Sequence, residues 1–166
     1  MDYTVYDVVL TKKEGYETPR ANKHESAAEI VSGLIGNKDR EHFIALILNQ
    51  RLRVTGVHTV SIGSLSHTVI SSREVFKVPI LANAHSIILA HNHPSANDTN
   101  PSPEDIQITN MLREAGKYLD IPIVDHIIVS DSGGPHFSFA ENKWCEMPVR
   151  TVKSISVPIR TLKRIR

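Results

Sequence analysis

The sequence predicts an α/β domain in which a mixed β-sheet is packed between helices. Short apolar runs bounded by polar turns, which are typical of strands, alternate with segments that open on helix-capping residues. Such alternation favours a layered α/β architecture. The chain has 166 residues, of which 40% are hydrophobic and 22% charged. This length and composition are those of one domain with its own core.

The strands are predicted from the apolar runs. Residues 43–48 are continuously apolar, which predicts a strand buried on both faces. A turn at 49–53 leads to a partner strand at 54–62. Further strands are predicted at 3–10, 86–90, 124–129 and 136–139, with 3–10 at an edge of the sheet.

The helices are predicted from their capping residues. Ser26 and Ser71 are each followed three residues later by glutamate, which predicts two helix starts, and the first helix should end near Gly36. Pro79 falls inside the second helix and should kink or shorten it, because proline lacks a backbone N–H. A third helix should begin after Ser102. Its inner face is predicted from apolar residues at helical spacing, which are Ile108, Met111, Leu112, Ala115 and Leu119.

Two histidines stand where the strand at 86–90 ends. Residues i and i+2 of an extended strand point to the same side, so His91 and His93 can present two imidazoles to one point. Asp105, at the start of the third helix, can add a carboxylate oxygen. Three protein ligands leave a fourth position for water, which is typical of a hydrolytic zinc site rather than a structural one.

Each of these residues also has an ordinary structural interpretation. Ser102 and Pro103 make a good helix start by themselves, and Asp105 can simply close a capping box. A His-x-His pattern also arises by chance in a chain with nine histidines. The metal interpretation therefore depends on the combination of strand end, turn-rich connection and acidic helix start.

With its flanks, this combination resembles the signature of RadC-type proteins, a bacterial branch of the JAB/MPN (JAMM) metallopeptidase superfamily. Residues 90–95 (Ala-His-Asn-His-Pro-Ser) and the Ser102-x-x-Asp105 pattern carry the resemblance, which extends from about residue 26 to 141. Flanking matches lie at 72–76, 81–84, 125–129 and 137–139. The resemblance implies the JAB/MPN fold, which is related to the cytidine deaminase fold.

The resemblance also implies roles for particular residues. The implied zinc ligands are His91, His93 and Asp105. Glu41, directly before the strand at 43–48, matches the general base of the superfamily, although it could equally be a solvent-facing turn residue. Ser102 matches the serine that stabilises the oxyanion, a role compatible with capping the helix. His126 is either a core histidine, the favoured interpretation, or a group that supports a metal ligand.

The sequence departs from the family pattern between the second histidine and the serine. Eight residues, 94–101, intervene where the family usually has seven. The serine-to-aspartate spacing is intact, so the helix start can still carry its ligand. We expect the longer loop to affect substrate access more than metal binding.

The chain is predicted to divide into an N-terminal strand and linker (1–25), a metal-binding domain (26–146) and a basic C-terminal extension (147–166). The helix-hairpin-helix region of full-length RadC proteins is expected to be absent upstream. The extension carries six basic residues and no acidic one, against a net charge of +1 for the whole chain. It is predicted either to be a solvated extension, the favoured interpretation, or to make weak nucleic-acid contacts.

The predicted function is that of a zinc metallopeptidase or isopeptidase acting on a peptide or protein substrate, with a link to DNA repair suggested by the family name. A non-catalytic DNA-repair accessory or scaffold is the alternative, and a nuclease, prompted by the literal His-Asn-His, is less favoured. The single cysteine, Cys145, excludes an internal disulfide and a cysteine-built zinc finger. No apolar run is long enough to span a membrane, so a cytoplasmic location is expected.

Overall fold

A computed structural model describes residues 18–63, 70–94, 98–130 and 134–144. It confirms the predicted mixed sheet packed between helices. The elements in chain order are α1 (His24–Val31), β1 (His42–Leu48), β2 (Val54–Ile62), α2 (Ser72–Leu81), β3 (Ser86–Asn92), α3 (Pro103–Tyr118), β4 (Ile123–Val129) and β5 (His136–Ser138).

Two predicted segments, the strand at 3–10 and the extension at 147–166, lie outside the residues that the structure describes. Within the described ranges, no helix combines the length and the apolar character needed to cross a membrane.

The five strands form one sheet in the order β2-β1-β3-β4-β5. Only β3 and β4 run parallel, and the other neighbours are antiparallel. The central strand β3 is buried along its whole length, and β1 is buried from Phe43 onward. The prediction of a doubly buried strand at 43–48 is therefore confirmed. In this register His91 of β3 lies between Phe43 of β1 and Ile128 of β4.

Side chains that alternate along the strands form two hydrophobic cores, one on each face of the sheet. One face of the sheet, called the front face here, carries residues such as Phe43, Ala45 and Leu89, which pack with buried residues of α2 and α3. The opposite or back face carries residues such as Ile44 and Ala90, which pack with α1. Since side chains alternate, His91 follows Leu89 onto the front face.

The first helix begins earlier than predicted. Lys23 is its N-cap, and Ser26 lies one turn inside, where its hydroxyl donates to the Lys23 carbonyl (2.9 Å) and accepts from the Lys23 N–H (3.3 Å). The prediction that the helix opens at Ser26 was wrong, because the serine closes the first turn from within. After Val31 the chain continues as a π-helical turn, Ser32–Gly36, which ends where the helix was predicted to end.

The second helix has the predicted start, with the Ser71 hydroxyl accepting from the Glu74 N–H. It continues through Pro79 to Leu81, so the proline lies in the last turn. At that position the missing N–H removes only one hydrogen bond, to the carbonyl of Val75, and the helix ends shortly afterwards anyway. Pro79 therefore destabilises only the last turn of the helix.

The third helix has the predicted capping box between Ser102 and Asp105, and its inner face was predicted in part. Leu112 is buried, and Ile108 and Ala115 pack against the same core. Met111 and Leu119 were predicted wrongly, since they are exposed, at 44% and 42%. The fully buried residues of the helix are Asp105, Thr109, Leu112 and Gly116. At Gly116 the helix approaches the following loop so closely that a Cβ would lie 2.6 Å from the Ile121 carbonyl oxygen. Two polar residues thus occupy positions that a search for apolar periodicity passes over.

Candidate metal centre

The carboxyl end of β3 brings the two motif histidines together. His91 is the penultimate residue of the strand and is buried, whereas His93 directly follows the strand and is partly exposed. The His93 N–H donates to the Val129 carbonyl of β4 (2.9 Å), which keeps the chain extended beyond β3. As predicted for residues i and i+2, the two rings point to one side, and their Nε2 atoms are 3.2 Å apart.

Asp105 supplies the third donor atom from the first turn of α3. Its Oδ1 lies 3.3 Å from His91 Nε2, and its Oδ2 lies 3.9 Å from His93 Nε2. One donor atom from each residue lies within 4.8 Å of the other two. A tetrahedral zinc ion with bonds of about 2.0–2.1 Å separates its ligand atoms by about 3.3 Å. The donor set and its spacing therefore fit zinc.

The capping and metal-binding interpretations of Asp105 are compatible, because its two oxygens have different surroundings. Oδ2 accepts from both the N–H (2.8 Å) and the hydroxyl (2.7 Å) of Ser102, while Oδ1 faces His91. Burial alone would raise the pKa of Asp105, but its contacts with His91 and Ser102 outweigh burial and hold that pKa well below its ordinary value. The carboxylate is therefore ionised at neutral pH, as a metal ligand must be.

His93 is oriented by the loop that follows it. Its Nδ1 lies 3.0 Å from the backbone carbonyl oxygen of Asp98. A carbonyl can only accept, so the Nδ1 of His93 carries a proton, which leaves Nε2 as the nitrogen that can bind a metal. The loop at 94–101 thus contacts the candidate site through the backbone of Asp98. Residues 95–97 of this loop lie outside the described ranges.

His126 supports His91 from inside the protein. Its Nε2 lies 2.9 Å from His91 Nδ1, and its Nδ1 lies 2.6 Å from the Thr109 hydroxyl. The ring stacks on Phe139 at a centroid distance of 4.9 Å. Burial lowers the pKa of His126 well below its ordinary value, as does the neighbouring His91, so the ring is neutral at pH 7. His126 is thus a buried core histidine that also contacts a candidate ligand.

Thr109 was missed by the sequence analysis. The available signal was its position one helical turn after Asp105, which places both residues on the same face of α3. Its hydroxyl donates to the Asp105 carbonyl (2.6 Å).

Glu41 lies at the same edge of the sheet, directly before β1, and is partly buried. When the pairing of Phe43 with His91 is continued by two residues, Glu41 falls opposite His93. The Glu41 carbonyl accepts from the Gly63 N–H (2.9 Å), which ties its backbone to the end of β2 as well.

Asn92, between the two histidines, holds the segment that carries Glu41. This buried side chain points to the back face, where its Oδ1 accepts from the His42 N–H (2.7 Å). Its Nδ2 donates to the carbonyls of Arg40 (3.1 Å) and Lys38 (3.4 Å). The peptide groups on both sides of Glu41 are thereby bonded to β3. The sequence analysis had considered Asn92 only as the middle residue of a weak nuclease signature.

Comparison with known proteins gives a consistent result. The family model described as RadC-like JAB domain matches residues 21–144. A UPF0758 protein of Shouchella clausii is 46% identical over 113 residues, which are 68% of this chain and 49% of the relative. One from Chlorobium chlorochromatii is 44% identical over 135 residues, 80% of this chain and 60% of the relative. The chain spans about half the length of the curated relatives it matches, and their names state no activity.

Proposed function

Because the chain belongs to the RadC-like JAB domain family, we propose that it is a zinc-dependent metallopeptidase or isopeptidase that hydrolyses an amide bond in a peptide or protein substrate. The observation that carries this proposal is the convergence of His91, His93 and Asp105 at one edge of the sheet. Two nitrogen donors and one oxygen donor suit zinc, and three protein ligands leave a position for water. The partial exposure of His93 supports access from solvent.

The charge of the site supports hydrolytic chemistry. Two neutral imidazoles and one carboxylate neutralise only part of the charge of a divalent ion, which leaves a net charge of about +1 at the centre. When bound, zinc would lower the pKa of a coordinated water to about 7 and polarise the substrate carbonyl.

Glu41 is the proposed general base, which takes a proton from the attacking water and returns it to the leaving amine. Its place opposite His93 in the extended register supports this role, as do the hydrogen bonds of Asn92 to the residues on either side of it. These contacts hold a carboxylate-bearing residue beside the candidate ligands.

Ser102 is the proposed oxyanion donor. Its oxygen caps α3 by accepting from the Asp105 N–H (3.1 Å), and its proton points to Asp105 Oδ2. A hydroxyl can rotate its proton towards a new acceptor while its oxygen continues to accept. Turning that proton to the developing oxyanion therefore leaves the helix cap intact.

The test is the variant Glu41→Gln, compared with wild type and with Glu29→Gln in α1 as the matched control. Zinc content is measured by elemental analysis, and cleavage of a mixed peptide library is followed by mass spectrometry. We expect Glu41→Gln to retain zinc and to lose cleavage by about 10²- to 10⁴-fold, since a general base contributes that much. The control should match wild type.

Two results would contradict the proposal in different ways. Undiminished cleavage by Glu41→Gln would show that another group is the base. A wild-type protein that binds zinc but cleaves no member of the library would favour the accessory or scaffold function instead.

A further inference from the structure

A continuous chain of hydrogen bonds links two of the candidate metal ligands through the protein interior. It runs from the Asp105 carbonyl to the Thr109 hydroxyl (2.6 Å), then to His126 Nδ1 (2.6 Å), and from His126 Nε2 to His91 Nδ1 (2.9 Å). Each of these residues is buried. Because water is excluded, the protons of this chain must be shared among its own members.

The position of each proton follows from the Asp105 end. A backbone carbonyl oxygen has no hydrogen to donate, so the short contact between it and Thr109 requires the threonine hydroxyl to be the donor. A hydroxyl has a single hydrogen. Towards His126 the Thr109 oxygen can therefore only accept, and His126 Nδ1 must carry a proton.

The same reasoning continues to the metal ligand. A neutral imidazole carries one proton, so His126 with a proton on Nδ1 has an unprotonated Nε2. That nitrogen can only accept, and the hydrogen in the 2.9 Å contact must come from His91 Nδ1. A neutral His91 protonated at Nδ1 has its lone pair at Nε2, the atom that faces Asp105 and His93.

We propose that Thr109 and His126 are positioning residues that hold the Nδ1 proton of His91 and so leave Nε2, which faces the candidate site, as the nitrogen that binds a metal. This inference rests on the proposed function only for the identity of the metal. Metal-binding histidines generally donate their second N–H to the protein, and loss of such a partner weakens metal binding about 10- to 100-fold. Here that partner is itself a histidine, which could donate just as well, and Thr109 decides the direction in which it acts.

The stacked environment of His126 supports this role. Phe139 lies parallel to the ring, with 9° between the planes, and Phe43 meets it edge-on at a centroid distance of 5.5 Å. Packing on these sides holds the plane of the ring, so the direction of its hydrogen bonds is set by proton placement rather than by rotation.

The experiment compares Thr109→Val with Thr109→Ser. Valine has the shape of threonine without the hydroxyl, whereas serine keeps the hydroxyl. Thr55→Val is the matched control, since the Thr55 hydroxyl donates to a backbone carbonyl away from the candidate site, that of Ile47 on β1 (3.2 Å). Zinc affinity is measured by competition with a chromophoric chelator. We expect about 10- to 100-fold weaker binding for Thr109→Val, and near wild-type binding for Thr109→Ser and the control.

Nitrogen-15 NMR of the imidazoles in zinc-free protein supplies a second readout, which does not depend on metal binding or on activity. We expect His126 to be protonated at Nδ1 in wild type and Thr109→Ser, and to shift towards Nε2 protonation in Thr109→Val. Wild-type His126 protonated at Nε2, or Thr109→Val with unchanged tautomer and affinity, would overturn the inference. If wild type bound no zinc, the proposed function would fail, while the His126 tautomer would still decide this inference.

Discussion

Two histidine clusters lie on opposite faces of the sheet, and only one of them has the geometry of a metal site. On the front face, donor atoms of His91, His93 and Asp105 converge. On the back face, His24 at the start of α1 lies beside His136 of β5, with 3.2 Å between Nδ1 and Nε2. The same Nδ1 lies 3.5 Å from Glu141, and the Nε2 of His24 lies 3.5 Å from Glu25.

The clusters differ in what the second nitrogen of each ring does. His91 and His93 direct Nδ1 at His126 and at the Asp98 carbonyl, so both Nε2 atoms can turn to a common point. His24 instead faces glutamates with both of its nitrogens, and those carboxylates are exposed. Exposed ion pairs of this kind contribute little to stability. A metal site thus requires partners that hold the second nitrogen of each ring, in addition to histidines that are close together.

The sharpest test of this comparison is metal content after removal of each histidine pair. The His91→Ala/His93→Ala double variant should lose zinc almost completely, because one carboxylate cannot hold the ion alone. The His24→Ala/His136→Ala double variant should keep about one zinc per chain, like wild type. Elemental analysis after dialysis measures both. Equal zinc loss from the two variants would remove the distinction between the clusters.

A smaller effect, on turnover, is expected from Asn92, whose side chain lies on the face of the sheet opposite the candidate metal site. Asn92→Ala should lower turnover by about 10- to 100-fold, because misplacing a reacting group by about 1 Å can cost that much. Zinc content should be unchanged, since Asn92 points away from the ligands. The exposed Asn22→Ala is the matched control, and thermal denaturation confirms that each variant is folded at the assay temperature. Normal turnover by Asn92→Ala would mean that the segment carrying Glu41 is held by other contacts.

Sequence reasoning found the ligands because their pattern is local. Alternation along β3 places His91 and His93 on one side, and the capping signal at Ser102 locates the turn that carries Asp105. Thr109, His126 and Asn92 depend instead on how β3 pairs with β1 and β4 and on how α3 lies against the sheet. No local pattern specifies those pairings, so Thr109 and Asn92 emerged only from the structure, and the structure was needed to show which ligand His126 contacts.

The two wrongly predicted residues of α3 have the same origin. Apolar periodicity placed Met111 and Leu119 on the inner face with Leu112, but the buried residues include Asp105 and Thr109 instead. Polar residues occupy the inner face because the site lies there, and Gly116 allows the close packing that fixes the rotation of the helix. The local rule failed where polar groups of the candidate site replaced apolar ones.

Among the described residues two carboxylates, Asp105 and Asp125, are buried, and their pKa values differ in direction. Asp105 has a lowered pKa, whereas burial raises the pKa of Asp125, although Ser138, Ala140 and His126 donate to it. Between the ordinary aspartate pKa of about 3.9 and the raised value, folded protein binds more protons at Asp125 than unfolded protein does. The stabilisation that the protonated Asp125 gives the folded protein is fully present below this pH interval. It is lost as the pH rises through the interval.

The variant Asp125→Asn should not lose stability in this way as the pH rises, because asparagine does not ionise. Its amide oxygen can still accept from the backbone N–H groups of His126 and Ala140, and the Ser138 hydroxyl can rotate to accept from the new NH₂ group. Relative to wild type, the unfolding free energy of the variant should therefore rise between pH 4 and pH 7. Urea denaturation across that range measures the difference, with the exposed Asp39→Asn as control. A difference that stayed constant with pH would show that Asp125 ionises as readily in the folded protein as in the unfolded chain, and that its three donors compensate fully for burial.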